Sequence, residues 1–383
     1  MRKLPSKLEK RLQKRKDENS FRELKSIHAG IDFYSNDYLG FSKSKEIFDA
    51  ASRILTGYDI SNGATGSRLL SGNHRLFKDL ENQLASFHNS QSALVFNSGY
   101  DANIGFFSSV PQKNDIIFYD ELSHASIRDG LQMSLARKIK FRHNDLQDLE
   151  KKLKRVETNN NTEIYIATES VFSMDGDSPD LKALVNLAES FKARLIVDEA
   201  HGTGLFGPQG EGLVQELKLE KDIFARIHTF GKAIGAHGAT ILGDRQLKDY
   251  LVNFSRSFIY TTALPPHTVA TIISAYRQLE KEYSSLSKLK SNISFFRSEL
   301  ERSGLASLFV DSISAIQVCM VSGNSEAKAL ATEFQQRGFE VKAILSPTVP
   351  EGQERLRFCL HSYNSKEEIS EVIQILTNLK LNE

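Results

Sequence analysis

The chain has 383 residues, and its 49 lysines and arginines almost balance its 48 aspartates and glutamates. This balance argues against binding to nucleic acid or to an anionic membrane, and no apolar run approaches the ~20 residues that span a bilayer. Because 2 cysteines cannot staple a chain of this size, we expect buried thiols, a reducing environment and a cytoplasmic location.

Residues 1–45 are predicted to form a helical arm and a short strand. Residues up to about Lys25 are rich in charge and contain no apolar core of the signal-peptide kind, which favours a solvated basic helix. A short strand is predicted at Ile31 to Tyr34. The sequence Ser35-Asn36-Asp37-Tyr38-Leu39-Gly40 follows and is dense in turn-forming residues.

Two features precede the regular part of the chain. The segment 61–68, Ser-Asn-Gly-Ala-Thr-Gly-Ser-Arg, is too polar and too rich in glycine for a core strand. A helix is predicted next, because apolar residues recur there at spacings of four, four and three and therefore share one helical face. These residues are Leu76, Leu80, Leu84 and Phe87.

Residues 46–285 are predicted to form a large domain in which apolar strands alternate with helices such as Asp145 to Arg155 and Asp180 to Phe191. The predicted strands are Ala93 to Phe96, Ile116 to Tyr119, Ile164 to Ala167, Leu195 to Val197 and Ile223 to His228. This alternation predicts an α/β fold with a mostly parallel sheet and helices on both faces. Ligands of such sheets bind at the carboxyl ends of the strands.

Residues 286–383 are predicted to form a small C-terminal α+β domain. A long, charged helical stretch runs from Pro265-Pro266 to about Gly304, and we expect it to join the two domains. The last helix begins with Ser365 and Glu368 at capping-box spacing. Its predicted inward face consists of Ile369, Val372, Ile373 and Leu376.

An acid and a lysine at the ends of two predicted strands are the strongest candidates for chemistry. Asp198 closes a Leu-Ile-Val run, and a buried carboxylate needs a positive or protonated partner, such as a protonated pyridine nitrogen. His201 lies three residues later. Lys232 stands between a glycine and an alanine, where a lysine could hold a cofactor covalently. The alternative interpretation is that Lys232 is an ordinary surface lysine.

Two other functions make demands that this sequence does not meet. Asp198-Glu199-Ala200-His201 also spells the acidic motif of some helicases, which need a G-x-x-x-x-G-K-[ST] loop upstream. The chain's one Gly-Lys pair, Gly231-Lys232, lies downstream and is followed by alanine. We also expect no zinc site, because the histidines never form H-E-x-x-H and no two cysteines are close in sequence.

Three further segments are ambiguous when each is taken alone. Gly99 and Tyr100 follow an apolar strand and open a helix, so they form either a phosphate-binding turn or an ordinary one. His124 could stack on a flat cofactor, shuttle a proton or simply bond locally at a helix start. The segment Glu169 to Asp177, which includes Ser173, could contact a ligand or build a turn.

Taken in order, these segments resemble the α-oxoamine synthase family of fold-type I pyridoxal-phosphate enzymes. The resemblance covers almost the whole chain, and the segments that carry it are 35–40, 66–72, 97–100, 123–126, 172–177, 198–204 and 229–233. It implies the fold-type I architecture, with a large sheet domain and a small C-terminal domain. It also implies pyridoxal 5'-phosphate as the cofactor.

The resemblance implies a role for each candidate. Lys232 would form a Schiff base with the cofactor and later move a proton at the substrate α-carbon. Asp198 would pair with the ring nitrogen, His201 would hydrogen-bond the phenolic oxygen, and His124 would stack on the ring. The remaining cofactor contacts would come from Ser173, from backbone groups of Gly99 and Tyr100, and from Thr229.

Substrate contacts follow from the same resemblance. The region 346–357 is similar to the family's substrate loop and carboxylate arginine. Arg357 would therefore hold the amino acid carboxylate with help from Asn36, because a guanidinium binds both carboxylate oxygens at once. Thr348 would line the acyl site. Arg22 is a looser match to an N-terminal substrate-binding arginine.

The branch of the family is indicated by the segments 66–73, 258–266 and 347–350. They are most similar to the biotin-pathway enzymes that condense L-alanine with a pimeloyl thioester and release carbon dioxide. Branches that use glycine with acetyl-CoA or succinyl-CoA are the alternative. A catalytically silent subunit is a further alternative, although such a subunit would usually lack the lysine.

The resemblance also implies a homodimer with the site at its interface. Some contacts should then come from the partner chain, through the segment 61–68 or through Thr261-Thr262. The acyl group would arrive on coenzyme A or on an acyl carrier protein. We expect no metal, nucleic acid or membrane among the partners.

Overall fold

The structure is a computed structural model that describes residues 4–24, 30–58, 62–281 and 283–380. Lys25 and Ser61, where the predicted basic helix ends and the predicted polar segment begins, lie outside the described residues, as do both chain termini. The α-helices are α1 (Ser6–Asp17), α2 (Lys45–Thr56), α3 (Arg75–Phe87), α4 (Gly99–Ser109), α5 (Ala125–Met133), α6 (Leu146–Leu153), α7 (Leu181–Ser190), α8 (Leu213–Glu216), α9 (Arg245–Phe254), α10 (Arg256–Ile259), α11 (Pro266–Lys281), α12 (Ser284–Arg302), α13 (Asn324–Gln336) and α14 (Lys366–Lys380). The strands are β1 (Ile31–Asp32), β2 (Ser92–Phe96), β3 (Ile116–Asp120), β4 (Arg137–Phe141), β5 (Ile164–Glu169), β6 (Arg194–Asp198), β7 (Ala225–Thr229), β8 (Ala239–Gly243), β9 (Ile316–Met320), β10 (Phe339–Glu340), β11 (Lys342–Ile344) and β12 (Arg355–Cys359).

Contacts between Cα atoms divide the chain into two compact units. The larger unit comprises Asn36–Ser173 and Asp177–Leu289. The smaller unit comprises Met1–Ser35, Met174–Gly176 and Lys290–Glu383, as far as these are described. In this division, residues 1–35 of the predicted arm 1–45 are grouped with the C-terminal residues, and the boundary between the predicted domains 46–285 and 286–383 lies at Leu289.

The larger unit contains a seven-stranded sheet in the order β2-β8-β7-β6-β5-β3-β4. From β7 to β4 the neighbouring strands pair in parallel, whereas β8 is antiparallel to both of its neighbours. Ile117, Ile196 and Ile227 of this sheet belong to one buried cluster with Phe106 of α4 and Ile127 of α5. Helices cover both faces of the sheet. The strand pairing and these helices together confirm the predicted mostly parallel sheet with helices on both faces.

Two strands of this sheet are absent from the sequence-based prediction. β4, Arg-Lys-Ile-Lys-Phe, lies at the edge of the sheet, and all of its residues except Phe141 are exposed or half-buried. Its composition is therefore that of a polar segment. β8 is buried except at Gly243. Its five residues are too few to show an alternation of apolar and polar residues that would distinguish it from the preceding turn.

The N-terminal boundaries also differ from the prediction. The helix that we predict up to about Lys25 ends at Asp17, and Asn19 then adopts a left-handed backbone conformation with φ of 56°. The predicted strand Ile31 to Tyr34 is limited to Ile31–Asp32, because the backbone bends from Phe33 onward, although the Phe33 N–H still donates to the Glu340 carbonyl of β10 at 3.0 Å. In the N-terminal helix, the high density of charged residues continues past Asp17, so charge alone does not mark where this helix ends.

The smaller unit is built on an antiparallel sheet in the order β11-β12-β9. The segment Met174–Gly176 belongs to it, because Asp175 forms an ion pair with Arg355 and the Gly176 carbonyl accepts a hydrogen bond from Ser312 Oγ at 2.7 Å. The predicted α+β character is confirmed.

The predicted cap of the last helix is also confirmed. The Ser365 N–H donates to Glu368 Oε2 at 2.8 Å, and the Glu368 N–H donates to Ser365 Oγ at 3.1 Å, which is the reciprocal pattern of a capping box. The four apolar residues predicted for the inward face of α14 are all buried. Cys319 and Cys359 are buried as well. Among the described residues, no helix is both long enough and apolar enough to cross a membrane.

Candidate active site

The carboxyl edge of the seven-stranded sheet collects most of the predicted site residues. β5, β6 and β7 are neighbours, and they end at Glu169, Asp198 and Thr229. β2 and β3 run in the same direction as these strands, and the helices α4 and α5 begin soon after they end. Gly99 begins α4 and His124 caps α5, so both lie at this edge.

Asp198 is buried and is held by two hydrogen-bond donors. Its side chain is 5% exposed. Asn103 Nδ2 donates to Oδ2 at 2.8 Å, and the Ala200 N–H donates to Oδ1 at 2.9 Å. Both donors are neutral, so the negative charge of the carboxylate can still pair with a protonated nitrogen.

Lys232 lies in the tight turn that follows β7. The Lys232 carbonyl accepts the Gly235 N–H at 2.8 Å, and the lysine side chain is half-buried. Its positive charge acts to lower the pKa of both His124 and Glu169, which places the ammonium group within electrostatic range of both. Lys232, Asp198 and His124 therefore share one electrostatic environment.

His124 is fixed through its ring and through its backbone. Its Nδ1 lies 2.7 Å from Ser126 Oγ, and its backbone N–H donates to Glu169 Oε1 at 2.5 Å. Although the side chain is exposed, partial desolvation lowers the pKa of His124; the charge of Lys232 adds to this effect and that of Asp198 opposes it. The ring is therefore neutral near pH 7 and has a surface available for stacking.

His201 and Asn36 are connected through Tyr38. The Tyr38 hydroxyl lies 2.7 Å from His201 Nδ1 and 3.3 Å from Asn36 Oδ1. Both Tyr38 and His201 are buried. Asn36 and Tyr38 lie within the turn-rich segment 35–40, and only the folded chain shows that this segment reaches the residues after β6.

The N-terminus of α4 is the predicted phosphate-binding turn. A Cβ atom added at Gly99 would lie 3.5 Å from both Cβ and Oγ1 of Thr229, so the Thr229 side chain lies against this turn. The Tyr100 hydroxyl donates to Asp129 at 2.7 Å, which leaves its backbone N–H as the group suited to an anion. Asn97 Nδ2 donates to Thr261 Oγ1 at 2.8 Å and to the Thr262 carbonyl at 2.7 Å.

Besides Tyr38, three residues near the site were not among the predicted site residues. Asn103 and Ser126 are buried between Asp198 and His124, and Glu169 lies directly opposite Asp198 in the pairing of β5 with β6. Burial and the charge of Asp198 raise the pKa of Glu169 to about 8. Glu169 and Ser126 lie in segments that the sequence analysis singled out, namely 169–177 and 123–126, but their contacts with the site are revealed only by strand pairing and helix packing, as is the place of Asn103.

The remaining predicted residues are distributed over both units. Ser173 belongs to the larger unit and is half-buried. It lies in the turn that is closed by a hydrogen bond from the Phe172 N–H to the Asp177 carbonyl. In the smaller unit, Arg22 Nη2 donates to Thr348 Oγ1 at 3.3 Å, which brings these two predicted residues together. Arg357, also in the smaller unit, is buried in β12, with Nη2 3.5 Å from the Tyr34 carbonyl.

The donor set at the sheet edge fits pyridoxal 5'-phosphate. Asp198 is suited to a protonated ring nitrogen, the start of α4 to a phosphate, and Lys232 to an aldehyde carbon. His124 offers a neutral ring for stacking. In the part of the chain that the structure describes, no cluster of histidine, cysteine, aspartate or glutamate could hold a metal ion.

Comparison with known proteins gives a consistent result. Residues 29–376 match the sequence profile of aminotransferase class I and II. An 8-amino-7-oxononanoate synthase of Emericella nidulans is 40% identical over 394 residues, which cover 96% of this chain and 94% of that relative.

Two solved structures are similar along almost the whole chain. Serine palmitoyltransferase from S. paucimobilis, which contains bound PLP, superposes with a TM-score of 0.88 at 27% identity, covering 98% of this chain and 97% of its own. An 8-amino-7-oxononanoate synthase from Francisella tularensis superposes with a TM-score of 0.78 at 29% identity, covering 92% of this chain and 98% of its own.

Proposed function

The chain belongs to the aminotransferase class I and II family, and on that premise we propose that it catalyses the 8-amino-7-oxononanoate synthase reaction. In this reaction L-alanine condenses with a pimeloyl thioester, and the thiol and carbon dioxide are released. The reaction belongs to biotin biosynthesis, and pyridoxal 5'-phosphate is the cofactor. The observation that carries this proposal is the grouping of Lys232, Asp198 and His124 at one edge of the sheet.

The residues at the sheet edge divide the binding of the cofactor among them. When bound, pyridoxal 5'-phosphate supplies an electron sink for negative charge that develops at the amino acid α-carbon. Asp198 would keep the ring nitrogen protonated, and His201 would bond the phenolic oxygen. The other contacts would come from Lys232 Nζ, His124, Ser173, Thr229 and the backbone of Gly99 and Tyr100.

Lys232 and His124 would act on the substrates. Once the amino acid has taken its place at the cofactor, the neutral amine of Lys232 would accept the α-proton of alanine at Nζ and later return a proton. His124 would donate a hydrogen bond to the thioester carbonyl oxygen as that oxygen gains negative charge.

The remaining assignments are also part of the proposal. Arg357, Asn36, Thr348 and Arg22 would bind the substrates, and the hydrogen bond between Arg22 and Thr348 supports a shared role for this pair. The enzyme would act as a homodimer in the cytoplasm. The acyl carrier would be coenzyme A or an acyl carrier protein.

Thiol release tests the reaction most directly. It should be measured with alanine, glycine and serine, each combined with pimeloyl, acetyl and succinyl thioesters. Alanine with the pimeloyl thioester should give the fastest turnover. Faster turnover with glycine and acetyl-CoA or succinyl-CoA would instead assign the chain to one of the glycine-using branches.

A further inference from the structure

A buried hydrogen-bond network connects Asp198 with His124. Asn103 Nδ2 donates to Asp198 Oδ2 at 2.8 Å and also to Ser126 Oγ at 3.0 Å. Ser126 Oγ lies 2.7 Å from His124 Nδ1. Asn103 is 2% exposed and Ser126 is 0% exposed, so the middle of this network is buried within the protein.

The direction of each hydrogen bond follows from the chemistry of the groups. An ionised carboxylate can only accept, so the atom of Asn103 that faces Asp198 must be its amide nitrogen. The second hydrogen of that nitrogen is directed at Ser126 Oγ. Since this oxygen already accepts from Asn103, its own hydrogen can be donated to His124 Nδ1.

The state of the His124 ring follows from these directions. The backbone N–H of Ser126 also points at Nδ1, at 3.3 Å, so this nitrogen faces two donors. A neutral imidazole whose Nδ1 accepts carries its hydrogen on Nε2. Desolvation lowers the pKa of His124, and the charges of Lys232 and Arg128 act in the same direction. Asp198 and Asp129 oppose this shift without reversing it, and the lowered pKa favours the neutral ring.

The backbone of His124 is held as well. Its N–H donates to Glu169 Oε1, and Glu169 lies opposite Asp198 across the two strands. Asp198 is therefore connected to His124 in two ways. One runs through Asn103 and Ser126, and the other runs through the strand pairing with Glu169.

We propose that Asn103 and Ser126 are positioning residues that hold neutral His124 with its proton on Nε2, ready to be donated to the thioester carbonyl oxygen. This inference rests on the proposed function for the identity of the acceptor. The tautomer itself is a property of the protein and can be measured without a substrate.

The test uses the full-length holoenzyme labelled with ¹⁵N-histidine, and the His124 signals are assigned from their loss in His124→Gln. The wild type should show Nε2 protonated and Nδ1 unprotonated. Ser126→Ala should give a mixture of tautomers and should lower kcat by roughly tenfold to a hundredfold, the loss seen when the hydrogen-bond partner of a metal-bound histidine is removed. KM for both substrates should change little.

Ser274→Ala is the matched control. Ser274 is also buried, but its hydroxyl donates to the Ala270 carbonyl of its own helix at 2.9 Å. This variant should keep the wild-type tautomer and kcat. A wild-type ring protonated on Nδ1, or a Ser126→Ala enzyme with unchanged tautomer and kcat, would overturn the proposal. Absence of thiol release by the wild type would instead refute the proposed function.

Discussion

Lys232 lies among ionisable groups and acts on two of them through its charge. Desolvation lowers the pKa of His124 and the positive charge of Lys232 adds to this effect, and the same charge opposes the rise in the pKa of Glu169. With Asp198 in the same environment, two acids and two bases share one edge of the sheet. Neighbouring groups with perturbed pKa values, as His124 and Glu169 have, are typical of catalytic sites.

Replacing Lys232 tests the covalent role at the residue scale. Lys232→Ala should lose the visible absorption of the lysine-bound cofactor, and kcat should fall by roughly a thousandfold or more because the proposed base for the α-proton is removed. Spectra before and after sodium borohydride, together with thiol release, measure both effects. Lys182→Ala, which removes an exposed lysine of α7, should match the wild type. Full activity in Lys232→Ala would refute the assignment.

Glu169 predicts a pH dependence of stability. Folded Glu169 keeps its proton up to about pH 8, whereas the ordinary pKa of the group is 4.5, so the folded chain binds more protons between these values. This residue therefore favours folding at low pH, and its contribution is lost as the pH rises towards 8.

Glu169→Gln should remove that loss. The melting temperature of this variant relative to the wild type should increase as the pH is raised from about 5 to about 8, because the amide does not titrate. Thermal unfolding followed by circular dichroism measures the difference. Glu189→Gln, at an exposed position of α7, should show a constant difference. A constant difference for Glu169→Gln as well would contradict the raised pKa.

At the scale of the elements, a charged cluster joins the segments that follow three strands. His143 Nδ1 lies 2.9 Å from Asp120 Oδ1 at the end of β3, and His143 Nε2 lies 2.8 Å from Asp177 Oδ2, after β5. Burial lowers the pKa of His143, but the hydrogen bonds and charges of the two aspartates outweigh it and raise the pKa to about 10. The segments after β3, β4 and β5 are thus held together by one imidazolium.

His143→Asn should destabilise the larger unit. Loss of the cation leaves Asp120, which is 0% exposed, without its counter-charge, and breaking a buried pair in this way costs about 3–5 kcal/mol. The raised pKa means that the contribution is complete below pH 6.5, the ordinary value, and is lost as the pH rises through about 10. Urea unfolding at pH 6 to 10 should therefore show a difference from the wild type that shrinks with pH.

The control for this series is His237→Asn, because His237 is exposed. It should unfold like the wild type at every pH. A His143→Asn deficit that stays constant up to pH 10 would show that the histidine acts through packing and not through its charge.

At the scale of the whole molecule, the proposed homodimer needs an apolar surface. Three large apolar residues next to the segments proposed to contact a partner are exposed. Leu69 and Leu70, which follow the segment 61–68, are 50% and 83% exposed, and Tyr260, which precedes Thr261-Thr262, is 72% exposed. Exposed apolar residues next to a polar loop are typical of an interaction surface.

The oligomeric state can be measured by analytical ultracentrifugation. The wild type should sediment with about twice the chain mass of 43.0 kDa, and Leu70→Asp should shift the protein towards the monomer because a charge would be buried at the interface. Leu24→Asp, at a fully exposed leucine of the smaller unit, should remain dimeric. A monomeric wild type would refute the homodimer.

The sequence by itself determined the α/β class, five strands of the sheet and the family. These follow from local information: apolar runs define strands, recurring apolar residues define helices, and short segments around Asp198 and Lys232 carry the resemblance. The cap of α14 is equally local, since Ser365 and Glu368 are three residues apart.

Only the tertiary structure decided which residues support the site. The partners of Asp198 and His124, namely Asn103, Ser126 and Glu169, are chosen by strand register and by the packing of α4 and α5, and these bring together residues that are far apart in sequence. β4 was missed for the same reason, because an edge strand takes its partner from the fold and not from its own composition. Local sequence specifies elements, whereas hydrogen-bond partners across elements exist only once the chain is packed.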